Sequence, residues 1–431
     1  MNILLTGATG FLGGRLLREL LAAGHRVTCA GRHRPPVEHG RCDWLRLDFA
    51  ATPTEVWLAH LGGVDAVVNL VGIFRDTAAA SFAALHVRGP RALFDACARA
   101  GVARVVQVSA LGADPRADEA FLSSKHAADR HLLGLPLDAC VAQPSLVFGP
   151  DGRSSRQLLA LAGLPLLVLP AGGQQRIQPI HVDDAAQALR AMVEAPAGRV
   201  AGRRIALVGP QALTLRDYLL ALRRAMGLGR PLRTLSVPAP LVGLLARLGA
   251  LSRQALLDRA AWSMLQRGNT ADVAPLARVM GRLPRAVGEF IGPERDAVRA
   301  QAQLAWLLPL LRGSVAAVWL VTAAVSFGLY PQADSHALLA RAGVPAELQP
   351  AALWSAAALD LLLGLLTLAP LRTRRWLWAA QAGLILAYSA VITLRLPEFW
   401  LHPYGPMTKN LPLLALLLLL LWQLEPRRER R

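Results

Sequence analysis

The chain has 431 residues and a formal net charge of +18, from 47 Lys and Arg against 29 Asp and Glu. That length allows two domains or more, and that charge points to nucleic acid, phospholipid or an anionic cofactor. No nucleic-acid motif and no basic helix interleaved with aromatics is present, so nucleic acid is set aside as a partner. Cys29, Cys42, Cys97 and Cys140 show neither CxxC nor a His at metal spacing, which sets aside a metal site and predicts reduced, buried thiols.

The chain begins Met1-Asn2-Ile3-Leu4-Leu5-Thr6, which lacks the basic start of a signal peptide and predicts a first strand over residues 2–6. Gly7-Ala8-Thr9-Gly10-Phe11-Leu12-Gly13 follows, then the amphipathic run RLLRELLAAG. Strand, glycine turn and helix in this order form a dinucleotide site: Gly7 permits the turn, Gly10 admits a pyrophosphate, and Gly13 lets the helix pack on the strand. Thr9, Phe11 and Leu12 fall in the same turn. A glycine-rich turn without ligand is the alternative. A second strand over Arg26–Gly31 ends in Arg32-His33-Arg34. NAD sites place an acid there. Arg32 suits a 2′-phosphate instead, so NADP(H) is expected over NAD(H); a solvated loop cation is the other reading.

The wording TGATGFLG resembles the extended and atypical short-chain dehydrogenase/reductases. The resemblance implies an α/β Rossmann domain, a doubly wound parallel sheet. It also implies an adenine contact at Asp48 in RLDF, cofactor contacts at Val71 and Gly72 after the fourth strand, and Ser109 at the end of the fifth. That family pairs its Ser with Tyr-x-x-x-Lys, one helical turn apart on one face, so that the ammonium lowers the phenol pKa for proton transfer. Here the segment is Phe121-Leu-Ser-Ser124-Lys125. Ser109 and Lys125 are the candidate catalytic and cofactor-binding residues, and Phe121 stands where the tyrosine would. Tyr218 lies on a later predicted helix, and His126 points about 100° round the helix from Lys125. The usual proton relay is therefore expected to be absent. Lysine occurs only at 125 and 409, by chance or because these sites need a compact ammonium.

Further on, Gln143-Pro144-Ser145-Leu146-Val147-Phe148-Gly149-Pro150 is similar to the family's segment beside the nicotinamide, with Gln143 in place of Arg. It implies cofactor contacts at Pro144, Ser145 and Val147. Gln178-Pro-Ile-His181-Val-Asp183-Asp184-Ala-Ala resembles a signature that opens a helix, with Asp183 or Asp184 near its N-cap. Arg267-Gly-Asn269 and Met280-Gly-Arg282-Leu-Pro284 fit the same subgroup. Together they resemble the atypical short-chain reductases related to the NADPH-binding accessory subunit of respiratory complex I, over roughly residues 1–295. Members lack the Tyr and often hold their nucleotide without turning it over.

Four apolar stretches then follow: Ser314–Tyr330, Ala351–Leu371, Trp376–Leu394 and the shorter Leu411–Leu424. A span needs roughly 20 residues, 17 at the low end, so an all-α bundle of about four transmembrane helices is predicted over 304–431. Leu304–Leu311 reads as an interfacial lead-in. Trp306, Trp376, Trp378, Trp400 and Trp422 fall near the predicted interfaces. Arg312, Arg372, Arg374 and Arg375, with Arg427, Arg428, Arg430 and Arg431, lie on one side; Arg341, Arg395 and Lys409 lie on the other. The positive-inside rule puts both termini and the Rossmann domain in the cytoplasm, as a multi-pass protein of the inner (cytoplasmic) membrane. Residues 400–412, with His402-Pro-Tyr-Gly-Pro-Met-Thr-Lys409-Asn410, resemble a motif of DoxX-like membrane domains, which implies quinone-coupled redox work. Asp360 sits inside the second stretch, either as a functional carboxylate or as half of an ion pair with Lys409 or His402.

Two functions remain in view. One is an NADP(H)-dependent reductase or isomerase acting on a lipophilic substrate, of quinone or isoprenoid type, at the cytoplasmic membrane face. The other is a non-catalytic NADPH-binding accessory or redox-sensing subunit of a membrane protein complex. A sugar-nucleotide epimerase is a distant third, because that chemistry also needs the tyrosine.

Overall fold

The computed structural model describes residues 1–77, 80–117, 119–229, 233–238, 259–371, 374–403 and 405–423. Arg372, Tyr404, Arg427, Arg428, Arg430 and Arg431 lie outside the described residues. The chain divides into two compact units, Met1–Ala302 and Gln303–Arg431.

In the first unit β1 (Asn2–Thr6), β2 (Arg26–Gly31), β3 (Cys42–Arg46), β4 (Ala66–Asn69), β5 (Arg104–Val108) and β6 (Ala139–Pro144) join strand Arg204–Leu207 in one sheet. The order is Arg204–Leu207, β6, β5, β4, β1, β2, β3, and every pair is parallel. A parallel sheet is covered on both faces, so its central strands read as unbroken apolar runs. β4 (Ala-Val-Val-Asn) and β5 (Arg-Val-Val-Gln-Val) are buried at every residue.

Helices α1 (Phe11–Ala22), α2 (Thr54–Ala59), α3 (Gly89–Ala100), α4 (Ala120–Leu133), α5 (Arg153–Gly163), α6 (Val182–Glu194) and α7 (Leu215–Ala225) supply the cover. Leu16, Leu17, Leu20 and Leu21 of α1 pack with Ala185, Leu189 and Met192 of α6 on one face. On the other face Trp57, Leu93, Phe94, Ala128 and Leu132 close the core. α5 and α7 share a separate apolar cluster around Phe148, Tyr218 and Phe290. The chain order reverses between β1 and β4, and crevices of this fold open at the carboxyl ends of the strands on either side of such a reversal.

Asp183 and Asp184 both lie in the first turn of α6, near its N-cap as expected. The cap is His181, whose Nδ1 accepts from the Asp183 N–H at 3.3 Å. Asp184, fully buried, accepts from Arg282 at 2.5 Å and from Arg285 Nε at 3.0 Å.

The second unit is helical, and among the described residues three helices are long and apolar enough to cross a membrane: Arg295–Leu329, which begins just before this unit, Ala346–Leu368 and Arg375–Arg395. Leu304–Leu311 lies inside the first of these, so it is not a separate lead-in. The fourth apolar helix, Asn410–Gln423, has 14 residues; at about 1.5 Å per residue it measures about 21 Å, short of a bilayer core of about 30 Å. Trp319 donates to Gln381 at 3.0 Å, and Gln381 donates to Thr367 at 2.8 Å, a buried polar chain across three helices. Asp360 is buried, and its Oδ1 has no hydrogen-bond partner among the described residues. No ion pair joins it to Lys409 there.

Candidate functional site

A cleft of about 410 Å³ lies at the chain reversal, within the usual range of roughly 300–1,000 Å³ for small-molecule sites. The turn Gly7–Gly10, the end of β2 from Cys29 to His33, Asp48–Ala50 and Leu70–Ile73 form its walls. Gly7 and Gly13 are held to glycine by the packing of the turn. Gly7 adopts φ +75°, and a Cβ there would meet the Leu70 carbonyl carbon at 2.8 Å; a Cβ on Gly13 would stand 2.1 Å from Gly7 O. No side chain caps α1 at Gly10, so first-turn amides keep their hydrogen-bonding capacity for an anion.

Of the residues expected around a cofactor, Gly7, Thr9, Gly10, Arg32, Asp48, Val71 and Gly72 line this cleft. Phe11, Leu12 and Gly13 begin α1 just beyond its wall. The Phe11 ring fills the space over Gly149 and Gly152. Val147 lies in a short strand paired with Ile180–His181, and Ser145 donates to Gln178 O at 2.6 Å. Pro144 closes β6 and accepts from the Leu111 N–H at 2.9 Å.

Ser109 and Lys125 are both buried, and Lys125 lies close behind Gly72. The Lys125 ammonium donates to Val71 O at 3.2 Å and Val108 O at 3.1 Å. A Cβ on Gly72 would come within 3.0 Å of Lys125 Nζ and 3.4 Å of His86 Nε2, so only glycine leaves this part of the cleft wall open to the ammonium. Burial pushes the Lys125 pKa down to about 8, opposed by the charge of Asp129.

His86, Ser124 and Asp129 complete this polar floor. His86 sits in a π-helical turn, Ala83–Arg88, before α3. The Ile73 N–H donates to its Nε2 at 3.0 Å, so the ring proton resides on Nδ1, which donates to Ser124 Oγ at 3.0 Å. The Ser124 hydroxyl in turn donates to Phe121 O at 2.9 Å. Burial, aided by the Lys125 charge, lowers the His86 pKa to about 3 and keeps the ring neutral.

Phe121 lies among aromatic rings. Its centroid is 5.2 Å from Phe74, 5.7 Å from His86 and 6.2 Å from Phe82, and Phe74 is 81% exposed. Tyr218, the tyrosine of the first unit, is wholly buried in the α5–α7 cluster, where burial raises its pKa. The signals that would have found the unanticipated residues were slight: aromatics at 74 and 82, and an acid at 129 on the buried face of α4.

Comparison with known proteins agrees with this architecture. The fold and cleft define an NAD(P)-binding Rossmann domain of the short-chain reductase kind, joined to a membrane-associated helical unit. Residues 3–208 match the NAD dependent epimerase/dehydratase family, and residues 316–418 match the DoxX-like family. The chain thus combines an epimerase/dehydratase-family domain with a C-terminal DoxX-like domain.

The 40 kDa subunit of mitochondrial NADH-ubiquinone oxidoreductase from Neurospora crassa is 28% identical over 195 residues, 43% of this chain and 50% of that one. The chain thus spans half the length of that relative. Ceramide reductase of Caulobacter vibrioides is 28% identical over 278 residues, 64% of this chain and 82% of the relative. A nucleoside-diphosphate-sugar epimerase from Staphylococcus aureus superposes with a TM-score of 0.55 at 22% identity, covering 68% of this chain and 99% of that structure. The last likeness concerns the fold alone.

Proposed function

We propose that the protein is a membrane-tethered, NADP(H)-binding reductase or isomerase acting on a lipophilic substrate, of quinone or isoprenoid type, at the cytoplasmic membrane face. One juxtaposition carries this reading. At Gly72 the Lys125 ammonium reaches the cleft wall; two residues further on, an aromatic cluster begins at the exposed Phe74 and continues into the half-buried Phe121. A charged group that holds the cofactor thus adjoins a surface suited to an apolar molecule. The DoxX-like unit and the likeness to a ceramide reductase support the same substrate class.

When bound, the nicotinamide supplies or takes a hydride. The chain's own residues do the rest. Gly7, Gly10 and the α1 N-terminus receive the pyrophosphate. Arg32 favours the 2′-phosphate, and Asp48 approaches the adenosine. Lys125, with its remaining N–H, holds the ribose next to the nicotinamide. Detergent-solubilised protein should consume NADPH in the presence of a quinone or long-chain ketone. No turnover with any lipophilic acceptor, together with NADPH retained through purification, would support a second reading instead: a non-catalytic NADPH-holding subunit of a membrane assembly. Phe121, which has no proton to give, favours that alternative.

A further inference from the structure

The floor beneath Gly72 holds an acid that nucleotide binding alone leaves unused. Asp129 is fully buried on α4, one turn beyond Lys125. Its Oδ2 accepts the Ser109 hydroxyl at 2.5 Å, while its Oδ1 has no hydrogen-bond partner among the described residues. A serine hydroxyl has one proton and two lone pairs. Ser109 has given its proton to Asp129, so only lone pairs remain for a ligand. Lys125 has three protons, and two go to Val71 O and Val108 O.

Neutral carbonyls do not offset the burial of an ammonium; an opposite charge does. The other titratable groups that bear on this pair are His86 in the π-helical turn, His126 on α4 and Arg204 on the edge strand. None is an acid.

We propose that Asp129 is a positioning residue for this site: one helical turn from Lys125 and bonded to Ser109, it holds Lys125 as the cationic donor beside Gly72 and leaves the Ser109 oxygen only as an acceptor. That pairing selects a hydroxyl group, which accepts from Lys125 and donates to Ser109. A carbonyl oxygen, having no proton, leaves Ser109 unmatched. The identity of the ligand rests on the proposed nucleotide site, where a ribose hydroxyl fills this role; the electrostatic part does not.

The two lysines make a direct test available. Full-length protein labelled with [13Cε]lysine has two reporters, Lys125 and Lys409, whose shifts follow pH in detergent. Asp129→Asn should lower the Lys125 midpoint by about one pH unit or more and leave Lys409 in place. Ser109→Ala should leave the Lys125 midpoint where it was, because the carboxylate is still ionised where the amine titrates.

In the unmutated protein, the Lys125 signal should carry a second, smaller step near pH 6 as Asp129 takes up its proton; this arm needs no variant to fold. An unmoved midpoint in Asp129→Asn, an equal shift in Ser109→Ala, or a single-step titration of the unmutated Lys125 would each overturn the proposal. Failure of the unmutated protein to bind NADPH would remove the proposed function and leave this result standing.

Discussion

Phe121 and His86 meet edge to face, with ring centroids 5.7 Å apart and an interplanar angle of 71°. The imidazole is thereby enclosed by an aromatic ring on one side while both its nitrogens are engaged, Nε2 by the Ile73 amide and Nδ1 by Ser124. Neither partner in this contact supplies a proton to the cleft. That sets the first prediction. Phe121→Tyr should raise turnover of a lipophilic carbonyl substrate, or leave an inactive protein inactive, in an NADPH-oxidation assay. A fall of tenfold or more on the order of 1.4 kcal/mol would mean that Phe121 already shapes a working site.

Arg32 lines the cleft at the end of β2, next to His33. Charge-assisted hydrogen bonds contribute about 1.5–3 kcal/mol. Arg32→Asp is therefore expected to weaken NADPH binding by about tenfold to a hundredfold and NADH binding much less, as read by nucleotide fluorescence. Equal affinity of the unmutated protein for the two nucleotides would remove the role given to Arg32.

His86 provides a pH prediction with a definite sign. Its folded pKa of about 3 lies below its usual 6.5, so the stability that comes from keeping it neutral is complete above pH 6.5 and is lost as pH falls towards 3. Asp129, raised to about 6 by burial in spite of the Ser109 hydrogen bond, works in the opposite sense between about pH 6 and 4. The useful measurement is the difference between the unmutated protein and His86→Gln. Their melting temperatures should converge on acidification from pH 7 to 4; parallel curves would contradict a buried neutral imidazole.

The proposed topology has four spans with both ends inside. Reporter fusions after Arg341, Arg374, His402 and Arg431 should then read out, in, out, in. The fourth helix is the exposed point of that scheme, because it is short. An external signal from the Arg431 fusion would remove the fourth span.

Local chemistry made the fold legible. The glycine turn, the apolar strands and the long Leu-rich segments each declare themselves within twenty residues, and each formed the expected element. What escaped depended on packing. Asp184 takes its guanidinium partners from about a hundred residues away. His86 is placed by a π-helical turn for which its sequence, Ala-Ala-Leu-His-Val-Arg, gives no warning. Asp129 was nearer to legible: four residues after Lys125, an acid on a buried helical face calls for a partner.

The π-helical turn at Ala83–Arg88 bears on how this site could be lost or gained. Such a turn is an α-helix carrying one residue too many. Removing one of the residues beside His86 would let the segment relax to α-helix and would change the direction in which His86 points. His86 would then leave Ile73 and Ser124, and the wall beside Gly72 would lose its inner support, with every side chain of the site still encoded. The arrangement is thus recorded in the length of the chain as much as in its spelling, and a single codon deleted far from Ser109 and Lys125 in sequence would erase it where many substitutions would not.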